Sequence, residues 1–262
     1  MTNSSYLFDV RLPAFEELQA APWGRIHYSV SFANVQRHID QRPLRVLDVG
    51  GGNGLDAIAF AAQGHSITLL DFSAEMLTAA RHNAEASGVA QRITFYQADL
   101  AAIPTLFPDA AFDVILCHNV LQFVENVGAT LKAACHALLP GGLISLMGTN
   151  RYSEVYRQIL QQLDPVAAYG SLDATSAYSP TFDVPIRIHA AEELHRPLHE
   201  AGCSVVSEYG VRCVCDYVPN NDIKRDPTFF SQLERLELAM SDRYPYYLLA
   251  RLFQIIARKD VM

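Results

Sequence analysis

Short apolar runs alternate with longer amphipathic stretches along the first half of the chain. β-branched and aliphatic residues predict five buried strands, at 45–49, 66–71, 93–96, 112–117 and 143–147. Apolar positions at helical spacing predict helices between them, over 55–62, from the Ser73 cap to Gly88, and over 130–138. This alternation predicts an α/β fold, a doubly wound and mostly parallel sheet with helical crossovers.

The pattern becomes irregular after the fifth strand. Turn-forming residues interrupt 150–188, although an amphipathic helix is expected at its start, over 153–163. We interpret this segment as an insertion after strand five that covers the active face, with an ordinary surface loop as the alternative.

The rest of the chain predicts two late strands and two helices. Residues 190–201 have a helical pattern that conflicts with Pro197 inside it. Apolar runs at 204–215 and 248–259 predict strands on either side of a helix over 228–240. The short final segment suggests an antiparallel return.

Composition and charge exclude several classes of protein. Half of the residues are hydrophobic and 18% are charged, which is enough apolar surface for a large buried core. No apolar run approaches the roughly 20 residues that span a bilayer, and the N-terminus lacks the pattern of a secretory signal. The five cysteines form no Cys-x-x-Cys pair, which favours a reducing cytoplasm. The net charge of −8 argues against a general nucleic-acid binder, but not against an enzyme that docks one RNA.

A glycine-rich turn joins the first predicted strand to the first helix. Gly50, Gly51, Gly52 and Gly54 follow Asp48 there, and glycine lets the backbone turn sharply while a ligand approaches it closely. The turn is not a phosphate-binding P-loop, because no Gly-Lys-Ser/Thr follows, and its spacing is shorter than in dinucleotide sites. It suits an amino-acid zwitterion attached to a nucleoside better than a pyrophosphate.

Two acidic residues end neighbouring predicted strands. Asp71 follows the first glycine by about 20 residues, where a carboxylate can accept from both ribose hydroxyls. Asp99 ends the third strand, where it could accept from an adenine amino group. A helix N-terminal charge and an exposed loop carboxylate are the respective alternatives.

As a set, these motifs resemble the class I S-adenosylmethionine-dependent methyltransferases over residues 44–147. Segments 112–118 and 139–143 resemble the family's fourth-strand motif and the turn before strand five. The resemblance implies a Rossmann-like, seven-stranded sheet with an antiparallel last strand, S-adenosyl-L-methionine as cofactor, S-adenosyl-L-homocysteine as product, and no metal. It implies that the cofactor-binding residues are His27, Asp48, Gly50, Gly51, Gly52, Asp71, Phe72, Met76, Asp99, Leu100 and His118.

Further similarity lies outside that core. Segments 22–27, 209–212, 216–217 and 244–259 resemble a bacterial branch that contains the tRNA 5-carboxymethoxyuridine methyltransferases, which methyl-esterify a wobble-uridine carboxylate. The resemblance implies tRNA as the substrate and a role in tRNA processing. Two departures stand out: His27 occupies the position of an arginine for the cofactor carboxylate, and 170–176 lacks the lysines of the tRNA enzymes.

The chain is then expected to be a single methyltransferase domain over residues 1–262. Its parts are an N-terminal helical cap (1–43), a cofactor-binding core (44–149), a lid-like insertion (150–189) and C-terminal strands and helices (190–262).

Arginines and tyrosines cluster around the two late strands. We predict that Arg212, Tyr217, Arg243 and Tyr246 bind an anionic substrate, because arginine holds a carboxylate through a bidentate fork and tyrosine can stack on a base. Arg251 belongs to the same cluster. Solvated pairing of these arginines with Glu234 or Glu237 is the alternative.

The histidines and cysteines give weaker indications of a catalytic or metal-binding role. His118, at the end of the fourth strand, is a candidate base or a packed structural histidine. His195 and His199 have helical spacing, but Pro197 lies between them, so a zinc site is not expected. Cys213 and Cys215 are interpreted as one buried face of a strand. If the group that accepts the methyl is a carboxylate, it is already ionised, and no residue has to act as a base.

The prediction is therefore a cytoplasmic methyltransferase that acts on a carboxylate oxygen, with 5-carboxymethoxyuridine in tRNA as the preferred acceptor. The alternative acceptor is a small metabolite, such as an acid, phenol or amine, which the acidic balance favours. An NAD-dependent oxidoreductase is disfavoured by the glycine spacing and by the lack of a Tyr-x-x-x-Lys pair near strand five.

Overall fold

Helices and strands alternate through residues 4–261, which are the residues that the computed structural model describes. The strands are β1 (Arg45–Val49), β2 (Ser66–Asp71), β3 (Ile93–Gln97), β4 (Phe112–His118), β5 (Leu138–Thr149), β6 (Ser176–Ser179), β7 (Val184–Arg187), β8 (Cys203–Val211) and β9 (Leu252–Lys259). The helices are α1 (Ser4–Ala20), α2 (Pro22–Gln36), α3 (Leu55–Ala62), α4 (Ala74–Ala86), α5 (Ile103–Leu106), α6 (Val127–His136), α7 (Arg151–Gln161), α8 (Pro165–Gly170), α9 (His195–Glu200) and α10 (Pro227–Met240).

Seven strands form one sheet in the order β3-β2-β1-β4-β5-β9-β8. Strands β1 to β5 are parallel, whereas β9 runs antiparallel to both β5 and β8. The predicted mostly parallel sheet with an antiparallel last strand is confirmed. The chain turns back between β1 and β4, so the loops after these strands diverge and leave a crevice at the carboxyl edge of the sheet.

Apolar side chains cover both faces of the sheet. Phe60, Leu77 and Ala80 of α3 and α4 pack on one face, and Leu131 and Leu198 of α6 and α9 pack on the other. Strands buried on both faces have continuous apolar runs rather than alternation, which is the pattern that predicts them here.

The helix predicted over 190–201 is divided in two. A 3-10 turn (Ala191–Leu194) precedes α9. Pro197 therefore lies in the first turn of a new helix, where its missing N–H removes no helical hydrogen bond. This division removes the conflict between the helical pattern and the proline.

Both late strands are shorter than predicted. β8 ends at Val211 instead of residue 215, because Arg212 adopts a left-handed φ of +62°. β9 starts at Leu252 instead of residue 248, because Tyr246–Leu249 forms a 3-10 turn. The prediction that Cys213 and Cys215 alternate on a strand is therefore wrong.

Helix α1 of the N-terminal cap meets the β6–β7 hairpin of the insertion above the carboxyl edge of the sheet. Of the predicted cap, residues 1–3 lie outside the described residues, and α1 and α2 form most of the remainder. The insertion contains α7, α8 and the β6–β7 hairpin. The Phe182 ring of the hairpin lies 4.8 Å from the ring of Phe8 and 5.6 Å from that of Phe15, both on α1. No helix within residues 4–261 is long and apolar enough to cross a membrane.

Candidate active site

A cavity of about 1270 Å³ lies in the crevice at the carboxyl edge of the sheet. Its walls come from the glycine turn, the ends of β2, β4 and β5, helices α1 and α2, the β6–β7 hairpin, and the loop after β8. Pockets for a single drug-sized ligand measure about 300–1000 Å³. This cavity therefore has room for a nucleoside-sized cofactor and part of a second ligand.

The glycine turn fits against its neighbours too closely for side chains. Gly50 has a φ of +65°, and a Cβ there would meet a Val120 methyl at 2.7 Å. A Cβ on Gly51 would meet an Asp48 carboxyl oxygen at 2.7 Å. The turn thus brings bare backbone to the cavity wall, as close approach of a ligand requires.

Asp71 is oriented by two backbone donors. The N–H of Ser73 donates to its Oδ1 and the N–H of Gly52 to its Oδ2, both at 2.9 Å. Burial raises the pKa of Asp71, and the backbone hydrogen bonds counter this. Each carboxylate oxygen has further acceptor capacity for a pair of ligand hydroxyls.

Asp48 has an unsatisfied carboxyl oxygen at the same wall. Its side chain is 2% exposed, and its Oδ2 has no hydrogen-bond partner among the described residues. Burial, together with Asp56 and Asp71, raises the pKa of Asp48 well above its usual range. A cationic amino group beside Oδ2 would satisfy the oxygen and stabilise the charged carboxylate.

The opposite end of this wall is partly apolar. Phe72, Met76 and Leu100 line it together with Asp99. Asp99 is exposed, and its Oδ1 accepts from the N–H of Ala101 at 2.8 Å. Apolar side chains beside one polar acceptor can hold a purine ring and its amino group.

His118 has both ring nitrogens bonded within the protein. Nδ1 lies 2.9 Å from Asp56 Oδ2, and Nε2 lies 2.7 Å from Ser145 Oγ. Gln254 Nε2 donates to the same Ser145 oxygen at 2.9 Å, so the Ser145 hydroxyl hydrogen is free to point toward His118. Ser145 is fully buried, so this Ser–His–Asp arrangement presents no nucleophile to the cavity. The geometry favours the structural interpretation of His118 over a catalytic base.

His27 is a neutral side chain in the cavity wall. Burial lowers its pKa to about 3. The Asn119 side-chain amide lies 3.3 Å from its Nε2 and can donate to it, which leaves the ring proton on Nδ1. His27 can therefore donate a hydrogen bond to a carboxylate, but it does not supply the charge of an arginine.

Arg212 lines the cavity at the loop after β8. It ion-pairs with Asp216, and its side chain is 14% exposed. Neither Arg212 Nε nor Asp216 Oδ2 has a hydrogen-bond partner among the described residues. Burial lowers the pKa of Arg212 and Asp216 raises it, with a net increase, so the guanidinium remains charged. Arg251 lines the same region and donates to Ser153 Oγ at 3.1 Å.

The loop that carries Arg212 is held by one buried carboxylate. Glu237 of α10 is fully buried and accepts from three consecutive N–H groups, those of Cys213, Val214 and Cys215, at 2.6, 2.9 and 2.6 Å. These bonds replace the strand pairing that ends at Val211. The predicted alternative in which Glu237 pairs with an arginine is therefore wrong.

Comparison with known proteins agrees with this geometry. A family model described as a methyltransferase domain matches residues 40–202. The chain is 30% identical over 240 residues to the tRNA 5-carboxymethoxyuridine methyltransferase of Escherichia coli (strain K12), covering 90% of this chain and 89% of that protein. The chain is a class I S-adenosylmethionine-dependent methyltransferase. The predicted family and enzyme class are confirmed.

Two other proteins are similar to this chain, one in the sequence of about half of it and one in structure over most of it. A ubiquinone biosynthesis O-methyltransferase of Xylella fastidiosa (strain 9a5c) is 34% identical over 119 residues, 45% of this chain and 46% of that protein. The structure of an S-adenosylmethionine-dependent methyltransferase from Mesorhizobium loti superposes with a TM-score of 0.57 at 17% identity, covering 88% of this chain and 98% of that one. At that identity the structural likeness shows the fold alone.

The methyltransferase has a cavity wall that fits its cofactor. The unsatisfied oxygen of Asp48 suits the methionyl amino group, the oriented carboxylate of Asp71 suits the ribose, and the wall at Leu100 suits the adenine. All eleven residues predicted for cofactor binding line this one cavity: His27, Asp48, Gly50, Gly51, Gly52, Asp71, Phe72, Met76, Asp99, Leu100 and His118. Their individual contacts with the cofactor stay predictions.

The four predicted substrate residues are divided between the cavity and the surface. Arg212 and Tyr217 line the cavity, and the Tyr217 hydroxyl donates to the Leu249 carbonyl. Arg243 and Tyr246 are exposed and do not line it. They are therefore removed from the candidate site.

Sequence reasoning missed several polar residues of this methyltransferase cavity. Asn119, Arg157 and Lys224 are among them. Asn119 and Lys224 lie in a loop and a 3-10 turn, which have no periodic signal. Arg157 lies on α7, whose amphipathic pattern predicts the helix but not which part of the protein it faces. No cluster of three or more His, Cys, Asp or Glu side chains suitable for a metal occurs in residues 4–261.

Proposed function

We propose that this methyltransferase esterifies a carboxylate that Arg212 holds, and that the acceptor is 5-carboxymethoxyuridine in tRNA. The observation that carries the proposal is the Arg212 guanidinium in the cavity wall, whose buried Nε lacks a hydrogen-bond partner among the described residues. Similarity to the Escherichia coli tRNA enzyme over 90% of the chain supports the choice of acceptor.

The chemistry of the site suits a carboxylate acceptor. When bound, S-adenosylmethionine supplies an electrophilic methyl group on a sulfonium. An ionised carboxylate needs no general base, which agrees with a His118 whose two nitrogens are bonded to Asp56 and Ser145. The protein then contributes alignment and exclusion of water. Arg212 would fix the carboxylate through a bidentate fork that a lysine does not offer.

A small carboxylic acid is the second candidate acceptor, and the surface of the insertion favours it. Leu163, Val166 and Tyr169 are each at least 79% exposed, whereas Arg151 and Arg157 are ion-paired with acids on the same protein. RNA docking depends largely on unpaired cations that reach phosphates. This surface offers few of them.

The cysteines support the expected compartment. All five are buried and unpaired with one another in disulfides, as in a protein made in the cytoplasm. We propose that the enzyme acts there.

One experiment separates the two acceptors. The protein is incubated with labelled S-adenosylmethionine and either tRNA that carries 5-carboxymethoxyuridine or a small-molecule cell extract, and the labelled product is identified by mass spectrometry. A methyl ester of the modified uridine is expected. Label that enters only the small-molecule fraction would transfer the proposal to the second candidate.

The role of Arg212 has its own test. Arg212→Ala should lower turnover by roughly 30-fold or more while S-adenosylhomocysteine affinity stays at the wild-type value, because the lost charge partner serves the acceptor. Arg243→Ala, a change at an exposed arginine outside the cavity, is the matched control and should behave as wild type. Normal turnover in Arg212→Ala, or loss of cofactor binding, would contradict the carboxylate-holding role.

A further inference from the structure

Lys224 is a buried ammonium group in the wall of the cavity. Its side chain is 3% exposed, and it belongs to a 3-10 turn (Ile223–Arg225) that precedes α10. Its Nζ donates to Asn221 Oδ1 at 2.9 Å and lies 5.6 Å from the centre of the Trp23 ring. Lys224, Asn221 and Trp23 all line the cavity.

The ion pairing of Lys224 differs from that of the other cavity cations. Four lysine and arginine side chains line the cavity, and three of them pair with acids: Arg157 with Glu154, Arg212 with Asp216, and Arg251 with Glu154. Among the described residues, no carboxylate lies within the 4 Å of Lys224 Nζ that would make an ion pair.

A buried charge without a counter-ion is costly, because a neutral amide and an indole face replace little of the lost hydration. Nearly all buried charges are paired or bind a charged group. Lys224 therefore has the character of a ligand-binding group rather than of a structural ion pair.

Lys224 lies near the part of the cavity that Arg212 and Asp216 line, which we call the acceptor half. Cys215 lies in the loop that Glu237 holds. Burial raises the pKa of the Cys215 thiol, and the charges of both Arg212 and Lys224 oppose that increase. Lys224 and Arg212 thus approach the same loop.

We propose that Lys224, with Asn221 and Trp23 beside it, forms a second anion-binding subsite, so that the acceptor has an additional anionic group besides the carboxylate held by Arg212. The ligand chemistry is an oxyanion, either a phosphate of a nucleotide or a second carboxylate of a small acid. This inference rests on the proposed function only in taking Arg212 to hold the first anion, the carboxylate. The subsite itself depends on Lys224.

The first test measures thermal unfolding of the full protein saturated with S-adenosylhomocysteine. Sodium phosphate or sodium succinate is titrated at constant ionic strength, which is maintained with sodium chloride. Phosphate or succinate should raise the unfolding temperature of the wild type and of Arg225→Met, and the shift should be absent in Lys224→Met. Arg225 is the matched control, because it is an exposed cation on the same turn that does not line the cavity.

A second test measures the contribution of the extra anion to acceptor binding. By calorimetry, 5-carboxymethoxyuridine 5′-monophosphate should bind the wild type at least about tenfold more tightly than the nucleoside does, since a close charge pair is worth that much. Lys224→Met should bind both ligands with similar affinity, and Lys224→Arg should restore part of the difference. Unchanged S-adenosylhomocysteine affinity establishes that each variant is folded.

The outcomes separate this inference from the proposed function. A Lys224-dependent effect of phosphate or succinate, together with methyl label that enters only small molecules and not tRNA, would keep the subsite and overturn the tRNA acceptor. Effects of both oxyanions that are equal in the wild type and Lys224→Met would overturn the subsite, whatever the acceptor is.

Discussion

Glu237→Gln is expected to loosen the acceptor half of the cavity, which Arg212 and Asp216 line. It should leave intact the cofactor half, which Asp48 and Asp71 line. In the wild type, Glu237 Oε1 accepts from Val214 and Cys215, and Oε2 accepts from Cys213. A glutamine keeps one acceptor oxygen and can retain the first two bonds. Its amide nitrogen then faces the Cys213 N–H, so two donors meet where a charge-assisted bond existed.

The size of the effect follows from these contacts. A hydrogen bond to a charged group contributes about 1.5–3 kcal/mol, and a buried donor left without a partner costs about 1–3 kcal/mol. With some relaxation of the loop, we expect Glu237→Gln to lower the free energy of unfolding by about 2–4 kcal/mol. That is a large part of the roughly 5–15 kcal/mol that stabilises a typical protein.

Urea unfolding measures the stability change, and calorimetry with S-adenosylhomocysteine measures the cofactor half. Steady-state methylation then gives the acceptor KM, which should rise because Arg212 and Asp216 are no longer fixed. Glu234→Gln is the matched control: Glu234 lies one turn earlier on α10, is partly buried, and makes no side-chain hydrogen bond or ion pair that the structure describes.

A small loss of stability would contradict this role of Glu237. If Glu237→Gln loses less than about 0.5 kcal/mol, the size of an ordinary surface substitution, and keeps the wild-type acceptor KM, the loop does not depend on this carboxylate. A loss of S-adenosylhomocysteine affinity equal to the loss of acceptor binding would likewise show that the two halves are not separate.

Three further predictions follow from the cofactor wall and the insertion. Asp71→Asn should weaken S-adenosylhomocysteine binding by roughly 10- to 100-fold in calorimetry, because a charged acceptor of the ribose hydroxyls is lost; the exposed Asp109→Asn should bind normally, and equal affinities would refute the ribose assignment. His27 has a folded pKa of about 3 against 6.5 normally, so the unfolded chain alone binds this proton and stability falls as the pH drops from about 6.5 toward 3, by roughly 2 kcal/mol at pH 5. Urea unfolding of His27→Gln should lack this component, whereas the exposed His82→Gln should retain it; identical pH profiles for all three proteins would contradict it. Hydrogen exchange over 150–188 should slow when S-adenosylhomocysteine and acceptor are both bound, and strong protection already present in the free protein would show that the insertion is not a mobile lid.

That the predicted cofactor residues lie together at one cavity wall could be predicted from the sequence, because the signals are local. The strand before Asp48, the glycines after it, and the acid at Asp71 lie in one short strand–turn–helix unit and the next strand. Parallel strands bring their carboxyl ends to the same edge. The order of elements therefore places Asp48, Asp71 and Asp99 together without knowledge of any distant contact.

The tertiary structure alone decides the surroundings of His118, Arg212 and Arg243. Sequence reasoning left His118 open between a base and a packed residue, and only its contacts with Asp56 and Ser145, which are 62 and 27 residues away in the chain, favour the second. Arg212 and Arg243 were both predicted to bind the substrate, yet one lines the cavity and the other is exposed.

The physical reason is that a pattern in the sequence reports on local structure, whereas the direction of a loop side chain depends on residues distant in the chain. Hydrophobic periodicity reports which face of an element is buried, so it fixes strands and helices and the edge where their loops gather. A loop has no such period. The direction of Arg212 depends on its left-handed backbone and on hydrogen bonds from the next three residues to Glu237. The burial of Lys224 likewise depends on contact with Trp23, about 200 residues earlier in the chain, and packing of this kind exists only in the folded protein.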